Sequence, residues 1–313
     1  MSKLSTQKVP QLTLSLIPHF IWKYKVFIFC FTSFWSGLMV MYAVNKPNIY
    51  TAQGLYMPKG AEGGGALSKL AGQFGGLASM AGINLGKGAT DKTEVALELL
   101  KSRAFLQRFI EKYDLTVPLL AVEKWDKATD RLIIDPELYD EEKQVWIREV
   151  PEGKSAIPSS WEAYSQLADN ITVEYASKKG TLNIKLSYYS PNVAAQWLDL
   201  LVKEMNVFWQ NKTQQETEKY IALLNEQAAE TGNSELQSIL YSLIGEQTKT
   251  LLLNNISDEV MFETVAPVVV PEEKSAPSRA LLCIVAFMFS GLISVLIVVF
   301  YGLDRQARLE ANK

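Results

Sequence analysis

Residues 190–230 read SPNVAAQWLDLLVKEMNVFWQNKTQQETEKYIALLNEQAAE, with one proline at the second position and no glycine. Ser190 at the N-cap and Pro191 at N1 make a favoured helix start. The serine hydroxyl accepts from an otherwise unbonded N–H, and proline lacks the N–H that would go unbonded there. The spacing predicts a helix to about Glu230, about 60 Å long if unbroken. Its first third is amphipathic, through Trp197, Leu200, Leu201, Val207, Phe208 and Trp209. Gln210 to Lys219 (QNKTQQETEK) then holds no apolar residue, so this part is expected to leave the core and project into water or meet a polar surface. Apolar residues return at Tyr220, Ile221, Leu223 and Leu224, and Gly232-Asn233 breaks the run. Ser234-Glu-Leu-Gln237 fits a capping box that opens a returning helix through Leu236, Ile239, Leu240, Leu243 and Leu251. A long helical hairpin over about 191–253 results, with an apolar stripe of its own suited to a neighbouring copy.

Strands flank the hairpin. Ile171-Thr-Val-Glu-Tyr175 and Leu182-Asn-Ile-Lys-Leu186 alternate around Ser177-Lys-Lys-Gly180, a β-hairpin signal. Val260 to Val265 reads as a last strand, followed by a stiff extended linker with Pro267, Pro271 and Pro277. Far upstream, Ile49 to Met57 has the β-branched and aromatic residues of a first strand, closed by Pro58. Pairing of first and last strands in one sheet is expected, giving a β-α-β-β-α-β-like base with a long helical excursion. Between these strands, Gly60 to Gly88 carries ten glycines and is expected to be a loop with one short helix around Leu77 to Ile83. A helix is expected from Thr93 to about Tyr113–Pro118, on Val95, Leu99, Leu100, Phe105, Phe109 and Ile110. Leu119 to Pro158 reads as charged and irregular, with Trp125-Asp126 its most distinctive pair.

Beyond the strands lie two uncharged apolar stretches, Val26 to Val44 and Ala280 to Leu303. They extend about 28 Å and about 36 Å as helices, against a hydrocarbon core of about 30 Å. Lys3, Lys8, Lys23 and Lys25 precede the first, and Arg305, Arg308 and Lys313 follow the second against Asp304 and Glu310. Cationic flanks stay cytoplasmic, so residues 1–25 and 304–313 are expected inside and 45–279 outside. The first stretch exceeds a signal-peptide h-region and lacks a small-x-small site after it, so it is expected to remain as an anchor.

Seven of the 31 basic and two of the 34 acidic residues lie outside Asn45–Arg279, which leaves the outer region with 24 and 32, a net of −8. Nucleic acid is therefore a poor partner. Both cysteines, Cys30 and Cys283, fall in the apolar stretches, and the single histidine, His19, precedes them. Without His or Cys the outer region has no Ser-His-Asp or Cys-His chemistry and almost no zinc-site chemistry. Carboxylate-only hydrolysis survives this filter, with nothing to select a pair. Gly82-Ile-Asn-Leu-Gly86-Lys87 looks Walker-like, but Ala81 stands where the first glycine belongs and Gly88 where Ser or Thr would hold magnesium. No cofactor or metal is expected, and a carboxylate pair stays open. Small residues give each apolar stretch a face for close helix packing or contact with a membrane partner: Ser33 and Gly37 in the first, Ala286, Ser290 and Ser294 in the second.

Taken in order, several stretches resemble one family. They are Tyr50-Thr-Ala-Gln-Gly-Leu-Tyr-Met-Pro58, Gly75-Gly-Leu-Ala-Ser-Met-Ala-Gly-Ile-Asn-Leu85, Leu99-Leu-Lys-Ser-Arg103, Trp125-Asp126, Ser190-Pro191 with Ala194-Ala-Gln-Trp197, and Gln247-Thr-Lys-Thr-Leu-Leu252. Pro267, Pro271 and Pro277 before the second span complete the set. Framed by two spans, they are similar to the Wzz-type O-antigen chain-length determinants, class 1 of the polysaccharide co-polymerases of the Gram-negative inner membrane. The proline segment departs from the pattern in being sparse, and Lys87 and Glu272 to Lys274 add charge. With no Walker-type kinase domain after the second span, the branch without a tyrosine kinase is expected. The resemblance implies an α+β protein: two transmembrane helices flanking a periplasmic α/β base, a long helix with its return, and protomers in a bell-shaped ring. It implies no enzyme and no catalytic residue. The implied partners are further copies of the chain, the O-antigen polymerase in the membrane, and the growing lipid-linked polysaccharide. Two other readings are a membrane-anchored, carboxylate-dependent glycan hydrolase and a two-span sensor.

Overall fold

The computed structural model describes residues 21–59, 88–151 and 153–311. The glycine-rich segment 60–87, with its expected short helix and Walker-like stretch, lies outside the described residues, as does His19. In chain order the described elements begin with α1 (Lys25–Asn45), β1 (Tyr50–Pro58), α2 (Gly88–Lys101), α3 (Arg103–Lys112) and α4 (Thr116–Leu120). Two short hairpins follow, β2 (Val122–Asp126) with β3 (Arg131–Ile134) and β4 (Tyr139–Asp140) with β5 (Val145–Trp146). Next come α5 (Ser160–Asn170), β6 (Ile171–Ala176), β7 (Thr181–Tyr188), α6 (Pro191–Glu230), α7 (Ser234–Ile256), β8 (Phe262–Val269) and α8 (Arg279–Ala311). The chain falls into two compact units: Met1–Asn48 with Ser275–Lys313, and Ile49–Lys274.

The second unit is built on a four-stranded sheet of order β6-β7-β1-β8, every neighbouring pair antiparallel. The first and last strands do pair, Tyr56 opposite Thr264 and Pro58 opposite Phe262. Alternation decides which face is buried. Leu182, Ile184, Leu186 and Tyr188 of β7 and Tyr50, Ala52 and Tyr56 of β1 point to one side and are buried. Gly54 shares that side because an added Cβ would come within 2.7 Å of Tyr56 Cζ. Against this face lies the start of α6, through Ala194, Trp197, Leu198, Leu201, Val202 and Met205, with Phe105, Leu106, Phe109 and Ile110 of α3 in the same core. The other face carries polar links, Thr51 Oγ1 to Ser187 Oγ at 2.9 Å and Lys185 to Glu174 at 2.8 Å.

Four expectations are corrected. The helix from Thr93 is interrupted at Ser102, whose hydroxyl accepts from Phe105 N–H at 3.3 Å and starts α3 as a separate helix. Leu119 to Pro158 holds the two hairpins in place of irregular chain, and the first explains Trp125-Asp126. Trp125 Nε1 donates to Asp130 Oδ1 at 2.8 Å, Asp130 Oδ2 accepts from Asn192 at 2.7 Å, and the Trp125 ring meets Tyr50 edge-on at 5.5 Å. The returning helix is capped by Asn233, not Ser234: Asn233 Oδ1 accepts from Glu235 and Leu236 N–H. Finally, the last strand runs on to Val269 and includes Pro267. β8 is an edge strand with register shifts opposite Gln53–Tyr56, and such a position tolerates a residue that cannot donate.

Helix α5 carries its start signal in the local sequence. Ser159 and Glu162 form a complete capping box, and Arg148 adds a bidentate grip on the same carboxylate, with Nη2 at 3.2 Å from Oε1. The Arg148 hydrogen bond, then those from Ser159, hold the Glu162 carboxyl down at about 2. A depressed folded-state pKa stabilises above the unfolded value and loses that effect as pH falls toward 2. Glu162→Gln should therefore cost about 1 kcal/mol at pH 7, and the gap to wild type should narrow as pH falls from 4.5 toward about 2. Denaturant titrations of the detergent-solubilised chain across that range and at pH 7 check this.

At the other end of the core, buried Asn206 of α6 accepts on Oδ1 from Met261 N–H (2.9 Å) and Phe262 N–H (2.8 Å) and donates Nδ2 to Phe262 O (3.1 Å). Asn206→Ala strands two donors and one acceptor in the interior and should cost about 3 kcal/mol, read from the same titration. A loss under about 1 kcal/mol would show that the strand does not depend on this clasp.

Candidate functional site

The first unit contains the two helices long and apolar enough to cross a membrane, Lys25–Asn45 and Arg279–Arg305. They pack side by side. On α8 the inward positions recur every four residues, with Ala286 half-buried and Ser290, Ser294, Val298 and Gly302 buried. That spacing lays small residues along one ridge, which lets two backbones approach closely. A Cβ added at Gly291 would sit 3.4 Å from Thr32 Cγ2. Ser290 and Ser294 turn their hydroxyls back to Phe287 O (3.1 Å) and Gly291 O (2.7 Å), so neither serine brings an open hydroxyl to the contact.

On α1 the inward residues are Ile28, Thr32, Ser36, Met39 and Ala43, with Thr32 and Ala43 buried. Ser33 and Gly37 face outward and are exposed, and Gly37 has open space where a Cβ would go. The structure thus brings Ala286, Ser290 and Ser294 together within the pair and leaves Ser33 and Gly37 outside it. Cys30 and Cys283 are free thiols.

Both ends of the pair are pinned by residues that the small-residue pattern did not reveal. Arg279 donates Nε to Ala43 O (2.9 Å) and Nη2 to Lys46 O (3.0 Å), satisfying carbonyls at the end of α1 that the helix itself leaves free. At the other end Tyr24 meets Tyr301 edge-on at 6.0 Å and accepts from Arg305 at 3.4 Å. Tyr24 and Tyr42 are separated by about 27 Å of helix, close to the hydrocarbon thickness, and aromatic rings favour both boundaries of that layer. A cation or Tyr flanking an apolar run is the sequence signal for such pins.

In the second unit the helical hairpin is a candidate contact surface. Gln210 and Asn254 bond reciprocally, each side-chain amide donating to the other's backbone carbonyl at 2.9 and 3.1 Å. Beyond this clasp, Thr217, Leu224 and Ala228 are buried, and near the tip Gln237 donates to Ala228 O at 3.1 Å. Leu240, Leu243, Ile244 and Leu251 are half-buried on α7. Its opposite side exposes Leu236, Ile239 and Tyr241 near the tip and Leu252, Leu253 and Ile256 near the base, with Ile256 80% exposed. Glu246 and Lys249 lie between these patches, so α7 shows two apolar patches with charge between.

Of the prolines before the second span, Pro267 lies in β8, while Pro271 and Pro277 lie between β8 and α8. Among the described residues no three His, Cys, Asp or Glu side chains gather as a metal site.

No family model matches the chain, and no curated protein matches it. Among solved structures it is similar to a full-length bacterial polysaccharide co-polymerase, at 13% sequence identity and a TM-score of 0.38, over 94% of this chain and 98% of the other. A superposition this loose establishes neither a shared fold nor a shared activity.

Proposed function

We propose that the chain is a non-enzymatic regulator of the modal length of a surface polysaccharide, O-antigen by the sequence resemblance, acting as a membrane-anchored oligomer beside the polymerase. One observation supports the reading most. A 40-residue helix and its return form a hairpin that buries Thr217, Leu224, Ala228 and Asn254 and leaves Leu236, Ile239, Tyr241, Leu252, Leu253 and Ile256 exposed on α7. Exposed apolar area of this kind marks a protein–protein surface. The two helices of membrane length then anchor the chain in the inner membrane, with both termini cytoplasmic and residues 45–279 periplasmic. Because Ser290 and Ser294 are used within the helix pair, contact with the polymerase falls on the outward face that includes Ser33 and Gly37.

Deleting the gene should broaden the glycan length distribution on a gel, and an unchanged ladder would sink the proposal. Gly37→Leu should alter modal length at normal protein level, whereas Ser294→Leu, which wedges the pair apart, should lower protein level as well. Native mass measurement of the detergent-solubilised complex should show an oligomer that Leu253→Glu with Ile256→Glu dissociates; a monomeric wild type contradicts the mechanism. Purified protein should release no reducing ends from the polysaccharide, the result that separates a regulator from a hydrolase.

A further inference from the structure

A half-open cavity of about 380 Å³ lies between α3, α4, the β4–β5 hairpin and the start of α5. Its size falls within the roughly 300–1,000 Å³ of small-ligand sites. Tyr139 and Trp146 form one wall, a directly opposed cross-strand pair with ring centroids 5.2 Å apart at 67°. Both rings are only half-buried. Ile110, Val117 and Pro158 add apolar surface.

Part of the polar lining is unspent, while Gln107 is held by Arg103 and Ser159 by Glu162. Glu111, Asp114, Thr116 and Gln144 reach the cavity, and among the described residues none of these side chains has a hydrogen bond or ion pair with the protein. Two of the four sit in left-handed backbone, Asp114 at φ 49° and Gln144 at φ 54°. Asp adopts that region readily and Gln seldom does, so the β4–β5 turn holds Gln144 at a cost of about 1 kcal/mol. Among the described residues no Lys or Arg lines the space, and the nearby Arg148 is committed to Glu162 and to Ala156 O at 2.7 Å.

These groups define a ligand. Aromatic faces carry negative charge density that attracts the polarised C–H groups on one side of a pyranose ring, while free carboxylates and amides accept and donate to its hydroxyls. Two carboxylates without a cation repel phosphate, uronic acids and acidic headgroups. We propose that this cavity seats one or two neutral or N-acetylated sugar residues of a polysaccharide, with Trp146 and Tyr139 as the stacking wall and Glu111, Asp114 and Gln144 as the hydroxyl-binding rim. The proposal rests on the chain-length reading, and it assigns that function a direct glycan contact.

Saturation-transfer NMR with the full-length chain in detergent, and the delipidated surface polysaccharide of the source organism as probe, tests it. Transfer should appear at pyranose ring C–H protons. Trp146→Ala should weaken binding by about tenfold, and Glu111→Gln with Asp114→Asn by about threefold, at unchanged oligomer mass. If Trp146→Ala fails to fold, the double carboxylate variant, which alters only solvent-exposed side chains, decides alone. Absence of transfer in wild type, equal transfer in both variants, or stronger transfer from an acidic polysaccharide or a peptide overturns the sugar site. With no transfer but a broadened ladder on gene deletion, only the site falls. With transfer that Trp146→Ala abolishes and an unchanged ladder, the site stands and the regulator reading falls.

Discussion

Asn206 holds the second unit closed. It lies on α6 at the point where the apolar face that packs on the sheet gives way to the polar stretch, and its amide meets both the N–H and the C=O of Phe262 at the start of β8. A backbone edge entering a core must find partners for its N–H and C=O groups, and a side-chain amide offers one of each. That bond fixes where the returning chain rejoins the sheet, at Phe262 opposite Pro58 of β1. One turn further along α6, the reciprocal pair of Gln210 and Asn254 repeats the device between the two helices. Together these amides let an uninterrupted helix be part of a packed core in its first half and the inner leg of a projecting hairpin in its second.

The hairpin divides its apolar residues between two sides. Thr217, Leu224, Ala228 and Asn254 take the inner positions, with Leu240, Leu243, Ile244 and Leu251 half-buried on α7. Leu236, Ile239, Leu252, Leu253 and Ile256 are left on the outside of α7, where only another macromolecule can remove them from water. In the first unit the arrangement differs. Small residues on α8 make the contact and the large ones face away, as suits helices whose outer surroundings are hydrocarbon and whose association depends on close approach.

Much of this was legible in the residues. Ser190-Pro191 marks the start of α6 and Gly232-Asn233 its end, because a missing donor, a capping hydroxyl and a helix breaker act within one turn. The alternation of 171–175 and 182–186 predicts β6 and β7, and the apolar runs predict α1 and α8. The small-residue face of α8 could be read because i, i+4 spacing is fixed by helix geometry. On α1 two such rows compete one residue apart, Thr32 with Ser36 and Ser33 with Gly37, and local spacing cannot rank them. The interruption at Ser102 and the cap at Asn233 were one-residue decisions between neighbouring polar side chains, settled by which oxygen reaches a free N–H.

By itself the sequence determined the long helices and the strands of the four-stranded sheet, the absence of His and Cys between the apolar stretches, and the order of the stretches that resemble the co-polymerases, since each depends on near neighbours or on composition. Only the tertiary structure decided that Asn206 ties α6 to Phe262, that Pro267 sits within an edge strand, that Arg279 caps the end of α1, and that Tyr139 and Trp146 share a cavity with Glu111 and Asp114. These are meetings of residues distant in the chain, or choices of partner for a strand edge. Their energies come from long-range packing and from backbone groups that must find partners in the interior, neither of which leaves a periodic trace in the chain.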